Sequence, residues 1–300
     1  MTMTLDELTG AEGEFRAGGT DLMARPARGP HIDLTGVAAL AGGITWRADG
    51  SARIGALTTV AVLARDERLA AAYPSLARTA AGLATPQIRE AGTLGGNLLQ
   101  RNRCPYFRSP AFTCHQKGGT SCPARDGIGL HATVIESGPC IAPHPSSLAM
   151  ALLGYEAQVE VHGRGLVPVG ELYSDDPARD HLLGPGEVLV AVELPPPLPG
   201  ERGAYKRAIG RAEAEWPLAE ATARVVVEDG AIVFATVAVG GVARTPLRLP
   251  EVEEALVGGE SLERAADLAA RRCAPGGPAA YKAALLTGTV LEVLERCTAD

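Results

Sequence analysis

The sequence predicts a mixed α/β chain in two domains, and three observations carry that prediction. Two glycine turns, Ala17-Gly18-Gly19-Thr20-Asp21-Leu22 and Thr93-Leu94-Gly95-Gly96-Asn97-Leu98, each sit between an apolar stretch and a helix start. A proline run, Leu194-Pro195-Pro196-Pro197-Leu198-Pro199-Gly200, interrupts the chain where neither a helix nor a central strand can continue. Beyond it a β-hairpin signal is followed only by helical patterns. The expected division is residues 1–195, carrying a long loop at 100–145, and residues 201–300. A chain of 300 residues and 31.0 kDa is long enough to bury a core in each.

Taken in order, Glu14–Ala17 reads as a strand running into the first glycine turn, and His31–Leu34 as a second short strand. Ser51–Leu57 reads as another, bounded by Asp49-Gly50 and by Thr58-Thr59 as a helix cap. Val60–Ala72 and Ser75–Ala84 have the composition of helices, parted at Tyr73-Pro74, and Ile88–Leu98 carries the second turn. From Gln100 to Pro145 periodicity vanishes and Cys, Gly, Pro and His accumulate, the mark of a long functional loop. Ser146–Leu153 returns to helix. Ala157, Val159 and Val161 then alternate with Gln158, Glu160 and His162, a half-buried strand turning at Gly163-Arg164-Gly165. After the proline run, Ala223–Glu228, Asp229-Gly230 and Ala231–Val239 form the hairpin. Pro250–Leu256, Leu262–Cys273 and Pro278–Cys297 are helical, and Ala283, Leu286, Val290, Leu291 and Leu294 give the last one a core-facing stripe.

Composition excludes several classes. Lys plus Arg number 28 against 35 Asp plus Glu, a net −7, which opposes broad nucleic-acid binding because that affinity comes from cations meeting phosphates. The 36 Gly and 22 Pro are spread along the chain and form no repeat, so collagen-like and low-complexity architectures are excluded. The N-terminus MTMTLDELTG lacks a basic-then-apolar signal pattern, and no stretch has the unbroken apolar length of a membrane span. No Gly-x-Ser-x-Gly elbow supports a hydrolase, and neither a Gly-x-Gly-x-x-Gly nor a phosphate-loop motif is present.

The chemistry-bearing features are the glycine turns and the cysteines. Glycine lets backbone N–H groups crowd toward a diphosphate, while Thr20, Asp21, Thr93 and Asn97 offer groups suited to a ribityl chain or ribose. Either turn alone reads more readily as a tight strand-to-helix bend, and two of similar build bring the two readings level. Four of the 6 cysteines are clustered as Cys104-x9-Cys114-x7-Cys122-x17-Cys140. That spacing is compatible with an iron–sulfur cluster, with zinc aided by His115, His131 or His144, or with plain thiols and disulfides. Tyr106, Phe107 and Phe112 in the same loop are placed to shield a cluster from water. Cys273 and Cys297 sit on helices as ordinary buried residues. Seven residues separate Asn97 from Cys104, so whatever binds at the two features lies within about 25 Å.

These residues resemble the FAD-binding medium subunit of molybdenum hydroxylases, the family of xanthine dehydrogenase, carbon monoxide dehydrogenase and bacterial aldehyde oxidoreductases. The two glycine turns are similar to its FAD-diphosphate loops. The likeness continues through Leu183-Gly184-Pro185-Gly186-Glu187, Val192-Glu193-Leu194-Pro195, Tyr205 to Arg211, and Val239-Gly240-Gly241-Val242-Ala243. Arg103-Cys104-Pro105-Tyr106-Phe107, Cys114, Ser121-Cys122 and Cys140-Ile141-Ala142-Pro143-His144-Pro145 resemble the loop that carries a 4Fe-4S cluster in periplasmic-type aldehyde oxidoreductases. Ser147 stands where the family usually has an acidic residue near FAD, Arg207 where it usually has lysine, and only 16 residues precede the first turn.

The resemblance implies a two-subdomain FAD-binding domain followed by a smaller α+β domain with a three-stranded antiparallel sheet and helices. It implies that Ala17, Gly18, Gly19, Thr20, Asp21, Leu22, Gly95 and Gly96 hold the FAD diphosphate, and that Thr93 and Asn97 hold the ribityl region. Ser147 and Arg207 would lie near the cofactor, and Cys104, Cys114, Cys122 and Cys140 would ligate the 4Fe-4S cluster. Partners would be a large molybdenum-cofactor subunit oxidising an aldehyde or aromatic heterocycle and a small subunit with 2Fe-2S clusters. An external electron acceptor would complete the chain, and no residue here would act on the organic substrate. Two other readings stay open, a flavoprotein with a structural zinc loop and a non-catalytic FAD-binding assembly module. The expected location is cytoplasmic, or periplasmic through export with a partner bearing a twin-arginine signal.

Overall fold

The computed structural model describes residues 3–24, 29–135, 138–274 and 276–299. The chain opens with a short helix, α1 (Leu5–Thr9), closed by a Thr4–Glu7 capping box, and a two-stranded parallel sheet of β1 (Glu14–Arg16) and β2 (His31–Asp33). Leu8, Val37 and Leu40 are buried beneath this small unit with Val188 and Val190. The first glycine turn leaves β1 directly, as the sequence predicts.

A five-stranded antiparallel sheet follows, built from β3 (Ile44–Trp46), β4 (Ala52–Gly55), β5 (Gln158–Val161), β6 (Gly165–Pro168) and β7 (Leu189–Leu194) in the order β3-β4-β7-β5-β6. Between β4 and β5 lie α2 (Val60–Arg65), α3 (Glu67–Ala72), α4 (Pro74–Gly82), α5 (Pro86–Ala91), α6 (Leu94–Leu98), α7 (Pro105–Arg108) and α8 (Ser147–Gly154). The single helix expected over 60–72 is two, because Asp66 ends α2 and its carboxylate accepts the Leu69 N–H at 2.7 Å as the cap of α3. Leu63, Leu69, Leu76, Leu94, Leu98, Leu148 and Leu152 fill the space between these helices and the sheet. The loop expected to be irregular contains only α7 and one 3-10 turn, His115–Lys117, as elements among its described residues; 136–137 lie outside them.

The remaining strands are β8 (Arg202–Ala208), β9 (Ala219–Glu228), β10 (Ala231–Gly240) and β11 (Leu247–Arg248), antiparallel in the order β11-β10-β9-β8. A three-stranded sheet was expected here; β11, with two residues, adds a fourth strand at the edge. α9 (Pro250–Val257), α10 (Leu262–Ala270) and α11 (Lys282–Thr298) cover one face. Leu286, Val290 and Leu294 of the expected stripe are fully buried. The proline run joins the two sheets and is held by Tyr73, between α3 and α4, whose hydroxyl donates to Pro195 O at 2.7 Å. Arg224 on β9 donates to Gly154 O at 2.8 Å and pairs with Glu201, both side chains being under 5% exposed.

Candidate functional site

A cleft of about 570 Å³ runs between the glycine turns, the small parallel sheet and the β8–β9 loop. Of the site residues expected from the sequence, Ala17, Gly18, Gly19, Thr20, Asp21, Leu22, Thr93, Gly95, Gly96, Asn97 and Arg207 all line it. The two turns come together because the first lies on the end of α5. A Cβ built on Gly18 would fall 1.7 Å from Ala91 O, so only glycine lets the chains touch there. Gly19 adopts φ +72°, the left-handed conformation that the bend requires.

The turns differ in what they offer. In the second, Thr93 caps α6 by accepting the Gly96 N–H at 3.1 Å, and the Gly95 N–H donates to Ala56 O at 2.9 Å. Those two amides, expected to hold a diphosphate, are therefore engaged within the chain. The N–H groups of Gly18, Gly19 and Thr20 meet no acceptor among the described residues. Asn97 Oδ1 accepts the Ser146 hydroxyl at 2.7 Å, which fixes the amide plane and leaves its NH2 facing no acceptor among the described residues. Ser146 is also the cap of α8, accepting the Ala149 N–H at 3.0 Å. Ser147, one residue on, is fully buried and absent from the cleft wall, because the first turn of α8 carries it inward.

Asp21 lines the cleft, yet its carboxylate is committed elsewhere. It pairs with Arg103 at 2.7 Å and Arg108 at 2.8 Å and accepts the Arg101 N–H at 3.1 Å. Burial pushes this carboxyl up, but Arg103 and the bonds from Arg108 and Arg101 more than offset it, so the group stays below the ordinary carboxylate range. At the other end Arg207 donates to Gly82 O, while its buried Nη2 has no partner among the described residues. Trp216, which the sequence did not single out, stands at the cleft with the Arg103 guanidinium 4.6 Å from its ring centre.

Cys104, Cys114, Cys122 and Cys140 line one small pocket together with Tyr106, Phe107 and His115. All 6 cysteines of the chain are free thiols, which removes the disulfide alternative. Burial raises the Cys104 and Cys140 thiols above their ordinary pKa. Of the other two histidines considered, His144 is buried edge-on to Tyr173 with ring centres 4.4 Å apart, and His131 enters through its carbonyl. Phe112 packs edge-on against Tyr106 at 4.9 Å. The loop is anchored by distant elements. Val134 and Ile135 N–H groups donate to Val242 O at 2.9 Å, the Tyr281 hydroxyl donates to Leu130 O at 2.8 Å, and the Lys282 ammonium donates to His131 O at 3.3 Å.

A glycine-cradled cleft with free amides at one turn and cations around it defines a protein that binds a nucleotide-type cofactor. Comparison makes this specific. Residues 9–197 match the FAD binding domain in molybdopterin dehydrogenase, and residues 204–297 match the CO dehydrogenase flavoprotein C-terminal domain. The aldehyde oxidoreductase FAD-binding subunit PaoB of Escherichia coli (strain K12) is 36% identical over 257 residues, 81% of this chain and 79% of that protein. The carbon monoxide dehydrogenase medium chain of Afipia carboxidovorans is 28% identical over 254 residues, 82% of this chain and 74% of that one. In fold, the chain is similar to a solved CO dehydrogenase from Oligotropha carboxidovorans, with TM-score 0.75, 24% identity, and 99% of this chain and 95% of that chain covered. The chain belongs to the FAD-binding subunit family of the molybdenum hydroxylases, and is an oxidoreductase subunit of that family. Among the described residues no helix is long and apolar enough to cross a membrane.

Proposed function

We propose that the chain is the FAD- and 4Fe-4S-carrying electron-transfer subunit of a heteromeric molybdenum-dependent oxidoreductase acting on aldehydes or aromatic heterocycles. A large molybdenum-cofactor subunit would oxidise the substrate, and a small subunit with 2Fe-2S clusters would deliver electrons one at a time. The flavin supplies the chemistry that stores two electrons and releases them to an external acceptor. This chain's own residues bind and orient. The free amides of Gly18, Gly19 and Thr20 are the diphosphate donors, the Asn97 amide and Thr93 hydroxyl serve the ribityl region, and the unpartnered Nη2 of Arg207 meets an anionic or carbonyl oxygen. No residue of the cleft is assigned proton transfer to the organic substrate.

The observation that carries the reading is adjacency. Arg103 lines the cleft and Cys104 lines the cysteine pocket, so one peptide bond separates the two sites. Four cysteine thiols around one pocket walled by Tyr106 and Phe107 match the usual ligand set of a 4Fe-4S cluster.

The test is anaerobic purification of the complex with metal and flavin analysis. Four irons per FAD are expected beyond those of the small subunit's 2Fe-2S clusters, with flavin absorbance over a broad iron–sulfur shoulder. Serine at any of Cys104, Cys114, Cys122 or Cys140 is expected to remove those four irons while FAD remains, whereas serine at Cys273 leaves both. One zinc per chain in place of those four irons would overturn the cluster. A complex that reduces no dye with any aldehyde or heterocycle would overturn the electron-transfer role.

A further inference from the structure

Between the cleft and the cysteine pocket lies a buried polar hub that neither glycine turn nor cysteine spacing announces. Asp180 sits in coil ahead of β7 with its side chain at 0% exposure. Its Oδ2 accepts from Arg101 Nε at 2.7 Å and from the Asn102 N–H at 3.1 Å. Its Oδ1 accepts from Gln116 Nε2 at 2.6 Å, Arg244 Nη1 at 2.9 Å and Asn102 Nδ2 at 3.2 Å. Each arm leads somewhere different. Arg101 lines the cleft, Gln116 and Asn102 line the cysteine pocket, and Arg244 lies beyond β10 with its side chain 2% exposed. Asn102 Oδ1 in turn accepts the Cys104 N–H at 3.0 Å, and Gln116 is two residues past Cys114. Burying one carboxylate against two guanidiniums is costly unless every lone pair is used, and here five bonds under 3.3 Å use them.

We infer that Asp180 is a positioning residue that holds the Cys104 and Cys114 arms of the loop against the cofactor cleft, and that the Asp180–Arg244 pair sets the local charge felt by the redox group the cysteines bind. The inference rests on the cluster reading above. Outer groups that hydrogen-bond a metal site's supports typically change its affinity 10–100-fold, and net charge near a cluster moves its potential.

The experiment compares the wild-type complex with Asp180→Asn, Arg244→Gln and Asp180→Glu. Asp180→Asn keeps the shape but leaves Arg101 and Arg244 without their counter-charge. Cluster bleaching by an iron chelator is expected to run about tenfold faster in it. The cluster's midpoint potential, read by electron paramagnetic resonance during redox titration, is expected to move positive. In Arg244→Gln it moves negative, because a cation is lost and the carboxylate remains. Asp180→Glu restores the sign of the wild-type charge and brings the potential back toward it. Opposite shifts separate a charge effect from mere loosening, which would move both variants alike. If Asp180→Asn does not fold, the negative shift of Arg244→Gln alone supports or sinks the charge assignment. Wild-type bleaching rates and potentials in both variants would overturn the inference, as would shifts of the same sign. Wild-type complex whose iron is no more than its 2Fe-2S clusters account for would overturn the cluster reading itself, and this inference with it.

Discussion

Replacing Gly18 with alanine tests whether the cleft depends on the contact between the two glycine turns. A Cβ there would lie 1.7 Å from Ala91 O and 2.5 Å from the Ala91 carbonyl carbon, both backbone atoms that cannot rotate away. Real Cβ contacts essentially never fall below 3.0 Å, so the turn must retreat from the end of α5 by at least about 1.3 Å. A hydrogen bond near 2.9 Å stretched by that amount passes about 4 Å and ceases to be one. If two amide-to-phosphate bonds are lost, at roughly 1.5–3 kcal/mol each for a charged acceptor, the FAD dissociation constant rises about 100-fold or more. The assay is recovery of flavin fluorescence on dilution of the purified complex, with bound FAD per chain as a second measure. Gly36→Ala is the control, since a Cβ at Gly36 meets nothing within 4 Å. The clash at Gly18 is with Ala91 and Gly92 and with no strand of the five-stranded sheet, so far-ultraviolet circular dichroism should not change. Wild-type FAD affinity in Gly18→Ala would refute the claim that this turn cradles the cofactor.

Three further outcomes are expected. Glu220 is buried beside Tyr205, whose hydroxyl donates to it at 2.9 Å, and burial pushes its carboxyl from the ordinary 4.5 up to about 7, against the opposing pull of Ser147, Tyr205 and Arg207. Its folded pKa is raised, so its contribution to stability is full below 4.5 and lost as pH climbs through about 7, a span worth about 3 kcal/mol. Glu220→Gln should flatten the change in melting temperature between about pH 5 and about pH 8. Ser146→Ala removes both the α8 cap and the Asn97 bond, costing about 1–2 kcal/mol in chemical denaturation and weakening FAD binding, whereas Ser147→Ala should leave FAD affinity unchanged. Arg207→Gln should weaken FAD binding about tenfold in a fluorescence titration, and Arg207→Lys should recover part of it, because lysine keeps the charge but not the bond geometry.

Local pattern made much of the fold legible. The hairpin of β9 and β10 was marked by Asp229-Gly230 between alternating strands, and α11 by apolar residues at helical spacing. Where two local signals competed, the reading slipped. The alanine-rich run 60–72 has the composition of one helix although Asp66 caps a second within it, and the apolar stretch that the proline run ends is the central strand β7. Ser146 and Ser147 show the same limit at the site. Both sit at a helix start, but only the cap residue turns its hydroxyl outward to the helix amides and to Asn97.

The cysteine loop is the opposite case, and the reason is energetic. The small apolar cluster beneath it joins Ala124, Ala132 and Ile141 of the loop to Ala279 just ahead of α11, too little buried surface to fix a loop of this length. What holds it comes from far along the chain: Asp21 and Asp180 at its stem, Val242, Tyr281 and Lys282 at its middle and far end. No sequence window contains both ends of such bonds, so composition reveals that the loop has a task but not how it is shaped. Asp180 and Arg244 are separated by 64 residues and meet at 2.9 Å with both side chains nearly sealed from water. A buried pair of that kind is poor value as a stabiliser, since apolar residues of similar size would do as well or better. Its placement between a cofactor cleft and four thiols is what gives the burial of those charges a purpose.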